Sequence, residues 1–584
     1  MLASFFGLAF IVTTYWCLPA SLAGKMMVLA LSLVLGALWV LISAAELEAR
    51  CRATTTAALA ILVAGLAVLN YRPLSAPFAW RGDEIYHVGV TRNLLGLVVR
   101  VPPAVALFGV MTWALCLGLA WRTPKWALAL AGVMVAGVVG FFLEISYPGS
   151  SLRYPYVGYW FVALVPAIAG LMGHPFHEAL FRVLPLLSVA GVIWVFLRHL
   201  GLRSRWPYLL WGTSVAVIPL AFYYSSILYL EFPAVFLMTV VCLNLEQLLD
   251  AGLGSLRRSA GWYALILIGF IKETTVPFLV CFLACRTVVV LGRQWRSGGG
   301  DAFLSACAEE VQVAFATMFP VSFYILLRVA FGVGRGFSPS LAGLRDPLVY
   351  AAIARSLQEQ FGIFVLFFLA GCILMLRRKE YAKLTFLLLT IAATVLFHAA
   401  DNRIYAGYSR FNLFLLPSML AGSAVLVSHL ANTRKVLATS LACVAIGAGL
   451  WMSPVNADGT KTPLWGNYLV DTSEHYYPYP EALSWLKQTH DGERILFAGL
   501  SFGYAFGFYF GQLHWTPQYA ISTDNDPANE GAALMRALDS TDADVVVFHV
   551  LGQSSRLPEQ YRDFRQARTV KNDAHALVIY DRRR

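Results

Sequence analysis

Apolar runs near the length of about 20 residues that a bilayer-spanning helix needs recur from Leu2 to Leu450 and then stop. Short polar stretches separate them. The pattern predicts about 15 spans, at residues 2–20, 26–45, 53–69, 104–121, 126–143, 179–197, 206–222, 232–245, 262–271, 274–291, 311–331, 363–376, 384–397, 411–430 and 436–450. The runs 262–271 and 274–291 are read as two helices meeting at Lys272-Glu273, because one kinked helix would invert every later loop. From Ser453 the pattern changes. Pro480 to Lys487 reads as a helix opened by proline, Arg494 to Gly499, Asp544 to Val550 and Ala576 to Tyr580 read as strands, and Asn529 to Leu538 reads as a further helix. The expected fold is thus a mostly α, polytopic membrane module over residues 1–452. A soluble α/β domain with a largely parallel sheet follows over residues 453–584.

Composition supports the membrane reading: 58% of residues are hydrophobic and 13% charged. The net charge of +11 does not point to nucleic acid, because the cations sit in short blocks between apolar runs, as at Arg50 and Arg52, Arg122 and Lys125, Arg257 and Arg258, Arg377 to Lys379, and Arg434 and Lys435. Such blocks mark cytoplasmic loops. The amino terminus then lies inside and the tail outside. The nine cysteines form no CxxC pair, which argues against a disulfide framework or a zinc site.

With that parity, the external side gathers Asp83, Glu84 and His87; Glu144 and Arg153; His174, His177, Glu178 and Arg182; Glu231; Lys272 and Glu273; and Asp401, Arg403 and Arg410. Taken singly, each is a solvated loop charge or an anchor at a helix end. Taken as a set, carboxylates and cations at one membrane face suit the handling of anionic lipid headgroups. His174 and His177 read as interfacial histidines rather than metal ligands, since no third ligand stands at helical spacing from them. The aromatic stretch Tyr504 to Trp515 in the tail is expected to rest on the membrane surface or to cover a site.

Several segments resemble a known superfamily. Gly82 to Leu95, with its Asp83-Glu84 pair, is similar to the first external loop of the GT-C glycosyltransferases. Tyr154-Pro-Tyr-Val-Gly-Tyr-Trp160 and the following Gly173 to Arg182 resemble segments of the lipid A aminoarabinose transferases. Ile271 to Thr274 and Tyr408 to Pro417 resemble segments of related bacterial transferases, a group that includes the protein O-mannosyltransferases and rhizobial lipopolysaccharide glycosyltransferases. The resemblance runs from about Tyr71 to Leu430, and the order of the segments carries it. There are departures. Residues 104–143 insert what reads as a transmembrane hairpin between the external loop 70–103 and the juxtamembrane segment 144–178, and Tyr154 replaces the family lysine, leaving its phosphate contact to Arg153 or to nothing.

The resemblance implies transfer of a sugar from a polyprenyl-phosphate donor to a lipid, glycan or protein acceptor. Asp83 is the expected base, with Glu84 orienting it, binding the acceptor or holding a divalent cation. The motifs themselves require no cofactor. Inverting transfer needs such a base, and cations at the bilayer edge would stabilise the charge gained by the departing phosphate. Lys272, Arg410, Arg403 and Arg153 are the candidates for that role. Glu231, Tyr408, Tyr156, Arg182 and His87 are candidate substrate contacts. Two rivals are a transporter or flippase, for which no inverted repeat is visible, and a non-catalytic envelope assembly protein, for which about 15 spans and clustered external charges exceed what an anchor needs. A glycan polymerase is a nearer alternative, which these motifs do not separate from a single-sugar transferase.

Overall fold

The computed structural model describes residues 62, 64, 65, 87, 88, 91, 162, 166, 169, 177–202, 205–225, 227–256, 259–297, 300–330, 341–400, 410–451, 479–498, 509–522, 542–551, 563–571 and 575–582. The five spans expected before residue 144 lie outside these apart from Leu62, Ala64 and Gly65, which are helical as expected. From residue 177 on, most predicted spans coincide with helices. These are α1 (Glu178–Leu200), α2 (Arg205–Ala216), α3 (Pro219–Tyr224), α4 (Glu231–Leu243), α5 (Leu245–Asp250), α6 (Leu253–Leu256), α7 (Ala260–Ile271), α8 (Val276–Ser297), α9 (Gly300–Ala330), α10 (Leu341–Arg345), α11 (Pro347–Phe361), α12 (Phe364–Arg377), α13 (Tyr381–Ala400), α14 (Leu416–Thr433) and α15 (Lys435–Trp451). Among the described residues four helices are long and apolar enough to cross a membrane, or five if the pair α11 and α12, bent by 98°, is one span.

Three boundaries differ from the sequence reading, each for a local reason. The run 206–222 is two helices, because Pro219 offers no N–H and forces Ile218 out of the helical region to φ −57°, ψ 120°. Helix α9 begins at Gly300 rather than 311, its first turns being too polar to belong to an apolar run. Residues 332–362 hold no predicted span, yet they contain α11, an amphipathic helix started by the Asp346 carboxylate accepting the Leu348 N–H and stopped by Gly362 at φ 56°.

The reading of two helices around Lys272 agrees with the structure. Gly261, at the start of α7, and Arg286, in the middle of α8, both meet Leu248: a Cβ at Gly261 would lie against the leucine side chain, and the arginine donates to the leucine carbonyl. The two helices therefore return to one level and the chain reverses at Lys272. Helix α9 packs along both. Glycines permit close crossings elsewhere: a Cβ at Gly371 of α12 would collide with the Gly422 carbonyl of α14, and one at Gly449 of α15 would meet the Val217 carbonyl between α2 and α3 at 2.6 Å.

In the tail, α16 (Tyr479–Thr489) precedes a five-stranded sheet of β1 (Arg494–Ala498), β2 (Gln518–Ser522), β3 (Val545–Leu551), β4 (Phe564–Lys571) and β5 (His575–Arg582), in the order β2-β1-β3-β5-β4. The sheet is mixed rather than largely parallel. β1 pairs in parallel with β2 and β3, while β5 runs antiparallel to β3 and β4. The connection of residues 572–574 between β4 and β5 is too short for the crossover that a parallel pair needs. Tyr509, Phe510 and Trp515 of the aromatic stretch are buried. Phe510 and Trp515 meet edge to face at 5.3 Å, and the indole N–H donates to Asp491 at 2.9 Å, so this part of the stretch serves the tail's own core instead of a membrane surface. The candidate helix Asn529 to Leu538 lies outside the described residues.

Candidate functional site

Glu231 is the first residue of α4, where the exposed N–H groups of a helix start favour a carboxylate. Lys272 follows the last turn of α7, where the free carbonyls favour a cation. Its backbone is extended, at φ −151° and ψ 125°. Its N–H donates to the Ile268 carbonyl, and its own carbonyl accepts the Thr275 hydroxyl at 2.6 Å, which starts the short 3-10 turn Glu273–Thr275 leading into α8. Because α4 and α7 pack along one another, these two helix ends meet. Lys272 Nζ stands 3.2 Å from Glu231 Oε1, with 1% and 0% of the side chains exposed. Opposite charges this deep tolerate burial only together.

Other expected site residues converge on the same end of the bundle. His87 is buried and meets Tyr229 edge to face, ring centroids 6.1 Å apart; Tyr229 in turn meets Tyr224 at 5.6 Å. The Thr91 hydroxyl donates to the His87 carbonyl at 2.7 Å, one helical turn along. Arg410 begins a 3-10 turn, Arg410–Leu415, that packs against α4 and runs into α14. Within that turn the Asn412 amide donates to Gln360 of α11 at 2.8 Å, both buried. Arg182 is buried near the start of α1, which also packs along α4. His177 acts structurally, since its Nδ1 accepts the Ala179 N–H and caps α1.

Four predicted site residues, His87, Arg182, Glu231 and Lys272, thus have described and buried side chains, and the structure brings Glu231 and Lys272 into contact. Asp83, Glu84, Arg153, Tyr156, Arg403 and Tyr408 lie outside the described residues, as does the side chain of Arg410. Among the described residues no group of three His, Cys, Asp or Glu side chains is arranged to hold a metal ion.

The sequence reading did not single out the polar contacts at the other end of the bundle. Arg286 donates to Glu310 at 2.8 Å with both residues buried, Arg293 pairs with Asp250 at 2.7 Å, and Lys383 with Glu246 at 2.9 Å. The signal was an arginine inside the apolar run 274–291 and a glutamate just before the run starting at 311. The cations Arg293, Arg378 and Lys383, at boundaries assigned to cytoplasmic loops, fall at this end, where Arg378 also meets His429 at 3.0 Å.

No family model and no curated protein sequence matches the chain. Solved structures do. ArnT from Cupriavidus metallidurans in the apo state superimposes with a TM-score of 0.50 at 12% identity, over 89% of this chain and 97% of that one. The same protein bound to undecaprenyl phosphate gives 0.51 at 12% identity over the same shares. This chain has the fold of ArnT. At that identity the likeness to ArnT is one of fold. ArnT is a lipid A aminoarabinose transferase and a GT-C glycosyltransferase, the group that the ordered segments of the sequence resemble. Together with the long apolar helices, the ArnT fold makes this a membrane protein.

Proposed function

We propose that the chain is an inverting glycosyltransferase that moves a sugar from a polyprenyl-phosphate donor to a lipid, cell-envelope glycan or protein acceptor at the outer face of the inner membrane. The observation that carries this reading is the fold shared with a protein that binds undecaprenyl phosphate. The gathering of Glu231, Lys272, His87 and the turn begun by Arg410 at one end of the helices supports it.

In the proposed reaction Asp83 takes the proton of an acceptor hydroxyl as its oxygen attacks the anomeric carbon of the donor sugar. The bond from that carbon to the phosphate oxygen breaks, and the lipid phosphate leaves with the electron pair. Glu84 orients Asp83, binds the acceptor or holds a divalent cation. Arg410, Arg403 and Arg153 stabilise the charge that develops on the phosphate, more strongly in the transition state than in the ground state. Tyr408, Tyr156, Arg182 and His87 line the substrate. Lys272 and Glu231, expected to meet the phosphate and the sugar, are already paired with one another. The tail, residues 453–584, is assigned to the extracytoplasmic side.

The test is incubation of the purified full chain with polyprenyl-phosphate sugars labelled in the sugar, in the presence of envelope lipids and glycans. Transfer leaves unglycosylated polyprenyl phosphate and labelled acceptor. A label that stays on the polyprenyl lipid while crossing vesicle membranes would identify a flippase instead.

A further inference from the structure

Two basic turns close the helices at the end away from Glu231 and Lys272. Gly371 of α12 and Gly422 of α14 meet, and about two turns further along both helices Arg378 meets His429 at 3.0 Å. The chain leaves α12 there through Arg377, Arg378 and Lys379, and it leaves α14 little more than a turn later through Arg434 and Lys435. All five are exposed. Lys383, just beyond the first of these turns, pairs with Glu246 after the end of α4, whereas Glu231 begins α4. The nearby acids do not neutralise the group: Glu380 is shared between Arg378 and Lys383 at 3.8 Å from each, and Glu246 is taken by Lys383 at 2.9 Å. Among the described residues no carboxylate pairs with Arg377, Lys379, Arg434 or Lys435.

Lys379 stands where glycine is the usual residue. Its φ is 61°, the left-handed conformation that closes α12, with its N–H donating to the Leu376 carbonyl and that of Glu380 to Met375. A side chain is crowded there, and a cation that only fixed the orientation of the chain could sit one position away without the strain. Beside Arg434 the surface is hollow. An open cavity of about 610 Å³, within the range of small-molecule sites, is lined by residues 432–437 and Ser440. Three of these, Lys435 to Leu437, belong to the first turn of α15, whose N–H groups have no partner within the helix and favour an anion. Next to the cations, Ile373 and Leu376 of α12 and Val436 and Leu437 of α15 turn apolar side chains outward. A free phosphate would leave these apolar side chains without a partner, and a neutral lipid would leave the cations without one.

We infer that the turns at Arg377–Lys379 and Arg434–Lys435 form a binding site for the headgroup of an anionic phospholipid. Its phosphate occupies the cavity at the start of α15, and its acyl chains run along the apolar side chains that α12 and α15 expose. Sugar transfer plays no part in this site, which lies at the other end of the helices from Glu231 and Lys272.

The experiment titrates the full-length protein, in an uncharged detergent, with radiolabelled phosphatidylglycerol or phosphatidylcholine, and records thermal unfolding of each variant without lipid. Wild type should hold phosphatidylglycerol at least about tenfold more tightly than phosphatidylcholine, since each cation near an anionic headgroup is worth roughly fivefold in affinity. Arg434→Gln/Lys435→Gln should weaken phosphatidylglycerol by about tenfold or more and leave phosphatidylcholine unchanged. Lys379→Gly should move two readouts apart. Glycine suits the backbone there, so the variant should unfold no lower than wild type while holding phosphatidylglycerol about fivefold more weakly. Arg355→Gln, which removes an exposed cation of α11, is the control and should bind like wild type. Equal affinity for the two lipids would overturn the inference, and so would wild-type binding by Arg434→Gln/Lys435→Gln. An equal loss in Arg355→Gln would also overturn it, because overall charge and not a site would then hold the lipid. Displacement of phosphatidylglycerol by millimolar inorganic phosphate would overturn the choice of a lipid. Should Lys379→Gly loosen the fold, the Arg434→Gln/Lys435→Gln protein decides alone.

Discussion

A carboxylate held between two guanidinium groups keeps its charge to lower pH than a free one, and Asp542 in the tail is such a group. Arg582 and Arg494 both donate to it, and in that order they hold its carboxyl below the usual carboxylate range. The three residues join the start of β1, the turn before β3 and the end of β5. Because the folded value is the lower one, the contribution to stability is complete above the ordinary carboxylate range and is lost as pH falls through the lowered folded value. Amide hydrogen exchange of the full chain should therefore report weaker protection at the ends of β1 and β5 on acidification. Asp542→Asn should be less protected there at neutral pH and show little further change in acid. Equal pH dependence in both proteins would remove Asp542 from this role. At this scale the sequence was partly legible. Glu231 and Lys272 stood out as charges at the edges of apolar runs, but nothing local showed that they meet, since their contact depends on how α4 packs on α7. Arg286 and Glu310 went unnoticed for the same reason, each being rationalised by its own run.

Among elements, the closest approach described is that of α12 and α14. Their backbones touch at Gly371 and Gly422, where a methyl group on Gly371 would collide with the Gly422 carbonyl oxygen, which has no flexible end to move. Gly371→Ala should destabilise the full chain by about 1–3 kcal/mol, the range for overpacking a tight interface. Gly447→Ala, at a position with open space around it, is the control and should change the unfolding temperature little. Equal effects of the two would mean that the crossing is looser than it looks. The helices themselves were the most legible part of the chain, because a long apolar run allows little else in a membrane. Breaks were legible where a charge caused them, as at Lys272, and were missed at Pro219, whose apolar neighbours hid its effect. In the tail, β2 and β4 were missed: β4 is an edge strand with mostly exposed residues, so it lacks the apolar run by which the central strands were found.

For the whole molecule, we propose that the Glu231–Lys272 end of the helices faces outside and the Arg293–Asp250 end inside, with the tail on the outside. Single cysteines introduced at Ser338 and Thr541 should both react with an impermeant thiol reagent in intact cells. Labelling of either only after permeabilisation would reverse the orientation. The fold was legible in the order of weak segments, and the fold shared with ArnT agrees with it at an identity of 12%, a level at which substrates are not inherited with the fold. Sugar and acceptor were not legible, since few side chains select them and those belong to loops free to vary around one helical frame.

The central claim is that this frame carries sugar transfer with Asp83 as base. Transfer from radiolabelled polyprenyl-phosphate sugars, compared in membranes carrying equal amounts of wild type and Asp83→Asn, measures it most directly. The variant is expected to lose about 100-fold or more of the rate while still binding undecaprenyl phosphate. Undiminished transfer by Asp83→Asn would contradict it.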